Sequence, residues 1–188
     1  QGETFYDIGR EYGIGYDAME HANQGVDGLY LREGEQVLLP TRFILPDAPR
    51  EGIVINLPEM RLYYYPPNSN VVHVFAIGIG REGWGTPKGI LSIKEKRANP
   101  TWTPPASIRA EHAANGDPLP AVVPAGPDNP LGLFAMRLSN PSYLLHGTNK
   151  PEGVGMRVSH GCIRLYPEGI EELFGMVGVG TQVNIVNQ

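Results

Sequence analysis

The amino-acid sequence predicts a mainly β domain of the α+β class, carrying a few short helices. Three observations point there. Gly 24 and Pro 18 in 188 residues make about 22% of the chain against an average nearer 12%, an excess that fits many turns between short strands rather than a helical bundle. From Gly52 onward apolar residues recur with period two or in short runs bounded by turn residues. Periods of three to four are confined to residues 4–23 and two short stretches further on. With 41% hydrophobic residues the chain has the apolar content of a folded domain rather than a disordered tail.

The elements follow in order. Thr4 to Tyr12 and Tyr16 to Asn23 place apolar residues three or four apart and read as two helices broken at Gly13-Ile14-Gly15, with Asp17 as the expected N-cap of the second. Gln36 to Pro40 reads as a strand. Pro46-Asp47-Ala48-Pro49 has linker chemistry, because proline fixes its own backbone and pushes the preceding residue towards an extended form; a boundary is expected there, between a unit over residues 1–45 and a second over 50–188. In the second unit Ile53 to Leu57, Arg61 to Tyr65, Val71 to Ile79 and Ile90 to Lys96 read as strands, the first two joined by a Pro58-Glu59 turn. Residues 99–130 hold eight prolines and read as an irregular insertion with a short helix at Ser107 to Ala114; a segment this long is functional or disordered as a rule. Leu133 to Leu138 and Tyr143 to His146 return to strand. Pro167 to Phe174 reads as a helix with proline in its first turn and acids at its positive end, and Val183 to Val186 closes the sheet.

Fifteen Lys+Arg against twenty Asp+Glu, net −5 and without a basic run, argue against a nucleic-acid partner. No run approaches the 18 apolar residues of a membrane-crossing helix. A start at Gln1 rather than methionine fits a form from which a leading segment has been removed. Cys162 is the one cysteine, so no internal disulfide can form, and a domain near 150 residues buries roughly 68–70% of its unfolded surface without one.

That cysteine sits in Ser159-His160-Gly161-Cys162-Ile163-Arg164, and His146-Gly147-Thr148 lies shortly upstream at a strand end. A thiol becomes a useful nucleophile when a neighbouring histidine takes its proton, and peptide N–H groups can hold the oxyanion of a tetrahedral acyl intermediate. Gly161 allows a tight turn and close approach of substrate. The bland reading makes Cys162 a small buried hydrophobe. A third makes His146, His160 and Cys162 zinc ligands, but no fourth ligand is apparent, and neither metal nor cofactor is expected.

These two segments resemble the signature of L,D-transpeptidases, the YkuD-type catalytic domain, in its envelope-associated branch. Val54 to Leu57 before Leu62 to Tyr65, Gly78-Ile79-Gly80 and Thr86-Pro87-Lys88-Gly89 resemble the same domain's first strands and turn, so that the likeness runs over about residues 50 to 187. The resemblance implies a β-sandwich or barrel fold. It implies Cys162 as nucleophile, His146 as general base and acid oriented by the Gly147 carbonyl, and the N–H groups of Gly161 and Cys162 as oxyanion hole. His160 and Ser159 would support the pocket, while Thr148, Tyr143 and Arg164 join the substrate-binding set; the guanidinium at Arg164, where the family pattern often has Asn, suits a substrate carboxylate. The implied reaction is acyl transfer on peptidoglycan tetrapeptide stems, in the periplasm or cell envelope, with another stem, a lipoprotein or water as acceptor and carbapenem-type compounds as inhibitors. An L,D-carboxypeptidase and a catalytically silent glycan-binding scaffold are the rivals.

Residues 3–40 resemble a LysM glycan-binding module of βααβ form through Thr4 to Gly13, Ala22-Asn23 and Leu38 to Pro40, in a truncated version. The insertion at 99–130 reads as a lid over Cys162 or as a rigid surface loop, with Trp102 beside Pro104-Pro105 as an apolar face.

Overall fold

The structure, a computed structural model, describes residues 2–81 and 85–188. Among the described residues nine strands, β1 (Gly52–Asn56), β2 (Arg61–Tyr65), β3 (His73–Gly80), β4 (Gly89–Ala98), β5 (Phe134–Leu138), β6 (Leu144–His146), β7 (Arg157–Ser159), β8 (Ile163–Leu165) and β9 (Gln182–Val186), accompany four α-helices, α1 (Phe5–Tyr12), α2 (Tyr16–Ala22), α3 (Ala106–Ala114) and α4 (Pro167–Met176). The strands lie in the order β2-β1-β9-β4-β5-β6-β8-β3, closed into a barrel by pairing of β2 with β3, with β7 alongside β3. Closure removes the exposed edges that an open sheet would present. The mainly β expectation holds.

Alternation along the strands sends Ile53, Ile55, Leu62, Ile77, Ile93, Met136, Leu138, Leu145, Ile163 and Leu165, all fully buried, into one barrel core. Strands β1 and β2 are buried on both faces, because Val54, Tyr63 and Tyr65 form a second cluster covered by Leu45, Ala48 and Val186; a near-continuous apolar run is the sequence trace of such a strand. Helix α4 seats Ile170 and Leu173 on the barrel core. Its C-terminal carbonyls are capped by Lys96, whose Nζ donates to Phe174 O at 2.7 Å and Val177 O at 2.6 Å; cation and helix dipole agree.

Helices α1 and α2 bury Phe5, Ile14, Tyr16 and Met19 in a small cluster of their own. Thr4 and Asp7 form a capping box at the start of α1, which makes that boundary legible. The pair docks on the barrel through close backbone contact: a Cβ at Gly155 would lie 2.4 Å from Gly15 Cα, and the Tyr166 hydroxyl donates to the buried Ile14 O at 2.9 Å.

Two local expectations fail here. Gln36 to Pro40 belongs to no strand, and at its centre the Leu38 backbone pairs with a side chain: Asn23 Oδ1 accepts from Leu38 N at 2.6 Å and Asn23 Nδ2 donates to Leu38 O at 2.9 Å. Nor does Asp17 cap α2. The N-cap is Gly15, where the approach to Gly155 leaves no room for a side chain, and Asp17 falls in the first turn instead.

Candidate active site

Strand pairing assembles the site. Strand β6 lies antiparallel to β5, with Ala135 opposite His146 and Arg137 opposite Leu144, and parallel to β8, with Leu145 opposite Ile163 and His146 opposite Arg164. Because Leu145 and Ile163 point into the core, the alternate residues Leu144, His146, Cys162 and Arg164 share the other face. Two segments separated along the chain thus put the thiol and the imidazole on one surface. Gly132, just past the prolyl-rich insertion, packs against the Gly147-Thr148 backbone beside it, with φ +68 and a notional Cβ 2.6 Å from Thr148 N.

His146 is buried at 5% exposure, and its Nδ1 lies 2.5 Å from Gly147 O. A carbonyl can only accept, so Nδ1 carries the proton and Nε2 is left with its lone pair. Burial, then the Arg164 cation, pull the imidazole down from its ordinary 6.5 to about 4 against a smaller opposing effect of the Gly147 bond. The ring is therefore neutral near pH 7 and able to take a proton.

Cys162 is half-buried, and its Sγ–H points to Ser142 O at 3.9 Å. Burial pushes the thiol up from its ordinary value, while the Leu144 backbone and Arg164 pull it back. The resting pair is thus a neutral thiol and a neutral imidazole rather than an ion pair. Gly161 has φ +97, in the left-handed region that glycine tolerates, and the buried Ser159 hydroxyl donates to Cys162 O at 2.5 Å. Together they hold the 159–162 turn that aims the thiol.

The Arg164 chain runs through a slot between two glycines. A Cβ at Gly78 would lie 2.8 Å from its Cγ, and one at Gly153 2.8 Å from its Nη1. Its Nε is buried without a hydrogen-bond partner. The remaining candidates sit around this centre in supporting places. The Thr148 hydroxyl accepts from Lys150 N at 2.9 Å, shaping the turn after His146, and Tyr143 OH donates to Gly85 O at 3.3 Å. His160 faces the insertion: its Nε2 lies 2.9 Å from Glu111 Oε2 and 3.1 Å from Arg81 Nη2, and Arg81 donates to Glu111 at 2.6 Å. Helix α3 is thereby tied to the residue two before Cys162.

Sequence reasoning missed Glu111, Arg81 and Asn129. Asn129, fully buried, joins both ends of the insertion by donating to Pro100 O and Pro124 O and accepting from Leu131 N. The signal available was an asparagine within a proline-rich run, which reads as an ordinary turn residue. Among the described residues no three His, Cys, Asp or Glu side chains converge as a metal site would require.

The sequence profile described as the YkuD L,D-transpeptidase catalytic domain matches residues 50–185. Probable L,D-transpeptidase YcfS of Escherichia coli K12 is 54% identical over 184 residues, covering 96% of this chain and 58% of that protein. The chain thus spans about three-fifths of the length of such curated relatives. Among solved structures, the catalytic domain from the Enterococcus faecium L,D-transpeptidase superposes with TM-score 0.54 at 25% identity, covering 75% of this chain and all of that one. The Ldtfm-avibactam carbamoyl enzyme gives TM-score 0.56 at 26% identity over 74% of this chain and 49% of that one. With the profile covering most of the chain and a relative above half identity along nearly its whole length, this protein belongs to the YkuD family of L,D-transpeptidase catalytic domains.

Proposed function

We propose that the protein is a cysteine L,D-transpeptidase acting on peptidoglycan tetrapeptide stems in the bacterial cell envelope. The observation that carries the reading is the parallel pairing of β6 with β8, which sets His146 and Cys162 on one face with a neutral, proton-accepting imidazole. Cys162 attacks the carbonyl carbon of the bond between the L-centre of diaminopimelate and the terminal D-Ala. His146 takes the thiol proton and returns it to the departing D-Ala amine as the thioester forms. An acceptor amine then attacks the thioester, His146 removes its proton, and the thiol is regenerated; water in that place gives carboxypeptidase activity.

Several groups have roles in this reading. The Gly161 and Cys162 N–H groups stabilise the oxyanion. Ser159 positions the nucleophile's turn, His160 and Thr148 hold the pocket walls, and Tyr143 and Arg164 contact substrate, the guanidinium facing a carboxylate. The acceptor is a second stem or an envelope lipoprotein. Helices α1 and α2 act as a LysM-like glycan-binding unit, and carbapenems acylate Cys162.

The test is mass spectrometry of products from purified disaccharide-tetrapeptide, with and without an acceptor amine. Cross-linked or exchanged product is expected. Release of D-Ala with no such product would reassign the chain as a carboxypeptidase, and the absence of any Cys162 adduct would leave only the glycan-binding scaffold.

A further inference from the structure

The register across the barrel extends beyond the reacting pair. Glu95 lies opposite Arg137 and Arg97 opposite Ala135, while Arg137 lies opposite Leu144 and Ala135 opposite His146. Two rows therefore run across neighbouring strands on the face that carries the thiol. One holds Glu95, Arg137 and Leu144 and runs on to Cys162, which precedes β8 and whose thiol meets the Leu144 backbone; the other holds Arg97, Ala135, His146 and Arg164. With neighbouring strands about 4.8 Å apart, the Arg137 backbone lies roughly 10 Å from that of Cys162.

Beside this row is a cavity of about 140 Å³ lined by Glu95, Arg97, Arg137 and Leu144 and walled by Pro100 and Leu131 from the two ends of the insertion. The Asn129 hydrogen bonds to Pro100 and Leu131 fix that wall. Glu95 serves both arginines: Arg97 Nη2 lies 2.6 Å from Oε1, and Arg137 Nε 3.2 Å from Oε2. One carboxylate against two guanidiniums leaves a local charge of +1 in a chain of net −5. Among the described residues Glu95 holds only the Nε of Arg137, and the planar fork of its two Nη groups is the geometry that receives a carboxylate.

We propose that this cavity is a subsite for an internal carboxylate of the donor stem peptide, held by the Arg137 fork with Arg97 beside it. The proposal rests on the transpeptidase reading above. A carboxylate six or seven bonds from the attacked carbonyl reaches roughly 8 Å from it when extended, and the Arg137 side chain covers the rest of the distance from Cys162. Two stem groups have that chemistry, the free carboxylate of the γ-linked D-glutamate and the second carboxylate of diaminopimelate.

Calorimetric binding of the free tetrapeptide to the Cys162→Ala protein, and of three peptides singly amidated at the glutamate, diaminopimelate or C-terminal carboxyl, reads the subsite without turnover. Amidation of one internal carboxyl is expected to weaken binding about tenfold or more, and the amide that does so identifies the group held. Adding Arg137→Gln should weaken the free acid to the same extent and make that amide no worse, while Arg137→Lys restores part of the affinity. Thermal unfolding of each variant separates this from lost folding. Equal binding of all four peptides, a preference confined to the C-terminal carboxyl, loss on every peptide alike in a folded Arg137→Gln protein, or no binding at all would each overturn the subsite. Binding with the expected Arg137 dependence in a protein whose Cys162 form releases no D-Ala would keep the subsite and discard the proposed activity.

Discussion

The low pKa of His146 ties the candidate base to the stability of the fold. In the unfolded chain the imidazole titrates near 6.5, whereas in the barrel it does so at about 4 because burial and the Arg164 cation oppose its charge. Above pH 6.5 both states hold it neutral and it adds no pH dependence. As pH falls from 6.5 towards 4 the unfolded state takes up a proton that the folded state refuses, so stability is lost across that window and levels off below it. At about 1.4 kcal/mol per pH unit the loss comes to about 3 kcal/mol. Other groups titrate over the same range, so the measurement is a difference: urea unfolding of wild type and His146→Gln at pH 7.5, 6, 5 and 4. The gap between the two proteins should shift by about 3 kcal/mol in favour of the variant on acidification. Arg164→Gln provides a second handle, since removing the cation raises the imidazole and should shrink the loss while preserving its sign. Parallel pH profiles for wild type and His146→Gln would refute the argument and place the imidazole in a wetter or more anionic setting than the barrel face implies.

Other consequences follow from the same geometry. Because burial raises the Cys162 thiol, its alkylation by iodoacetamide, followed by intact mass, should climb with pH through a midpoint above that of a free cysteine, and Arg164→Gln should move that midpoint higher still. Ser159→Ala removes the donor to Cys162 O and leaves a carbonyl unpaired; a loss of about 1–2 kcal/mol in urea unfolding is expected, along with slower acylation by a carbapenem. Gly155 has φ +80 and meets Gly15 and Tyr16 within 2.4 Å of a notional Cβ, so Gly155→Ala should cost about 2–4 kcal/mol through strain and overpacking, read as a lowered melting temperature. Turnover in Cys162→Ala should be absent from the disaccharide-tetrapeptide assay.

Much of the fold is local and was readable. Helix α1 is announced by Thr4, Asp7 and Gly13 at the positions that cap it, and α4 by Pro167 in its first turn and Glu168 beside it. Strands β1 to β5, β6 and β9 lie where short apolar runs placed them, within a few residues. Strands β7 and β8 are three residues each, too short for a period to register, and they flank the very motif that carries the chemistry. Gln36 to Pro40 shows the opposite error: an apolar run with strand chemistry found a single asparagine side chain as its partner rather than a neighbouring strand.

The sequence by itself determined that Cys162 stands alone, that histidine, glycine and serine surround it in a pattern resembling one catalytic family, and that the regular structure is mainly β. These are properties of neighbouring residues, and local chemistry writes them directly. Only the tertiary structure decided that β6 and β8 run side by side, that Arg164 lowers the imidazole pKa, that Glu111 binds α3 to His160, and that Arg97 and Arg137 share the thiol's face. Each of those depends on strand register and barrel closure between residues far apart in the chain, and on burial, which converts a guanidinium a few ångströms away from a screened surface charge into an influence on a proton.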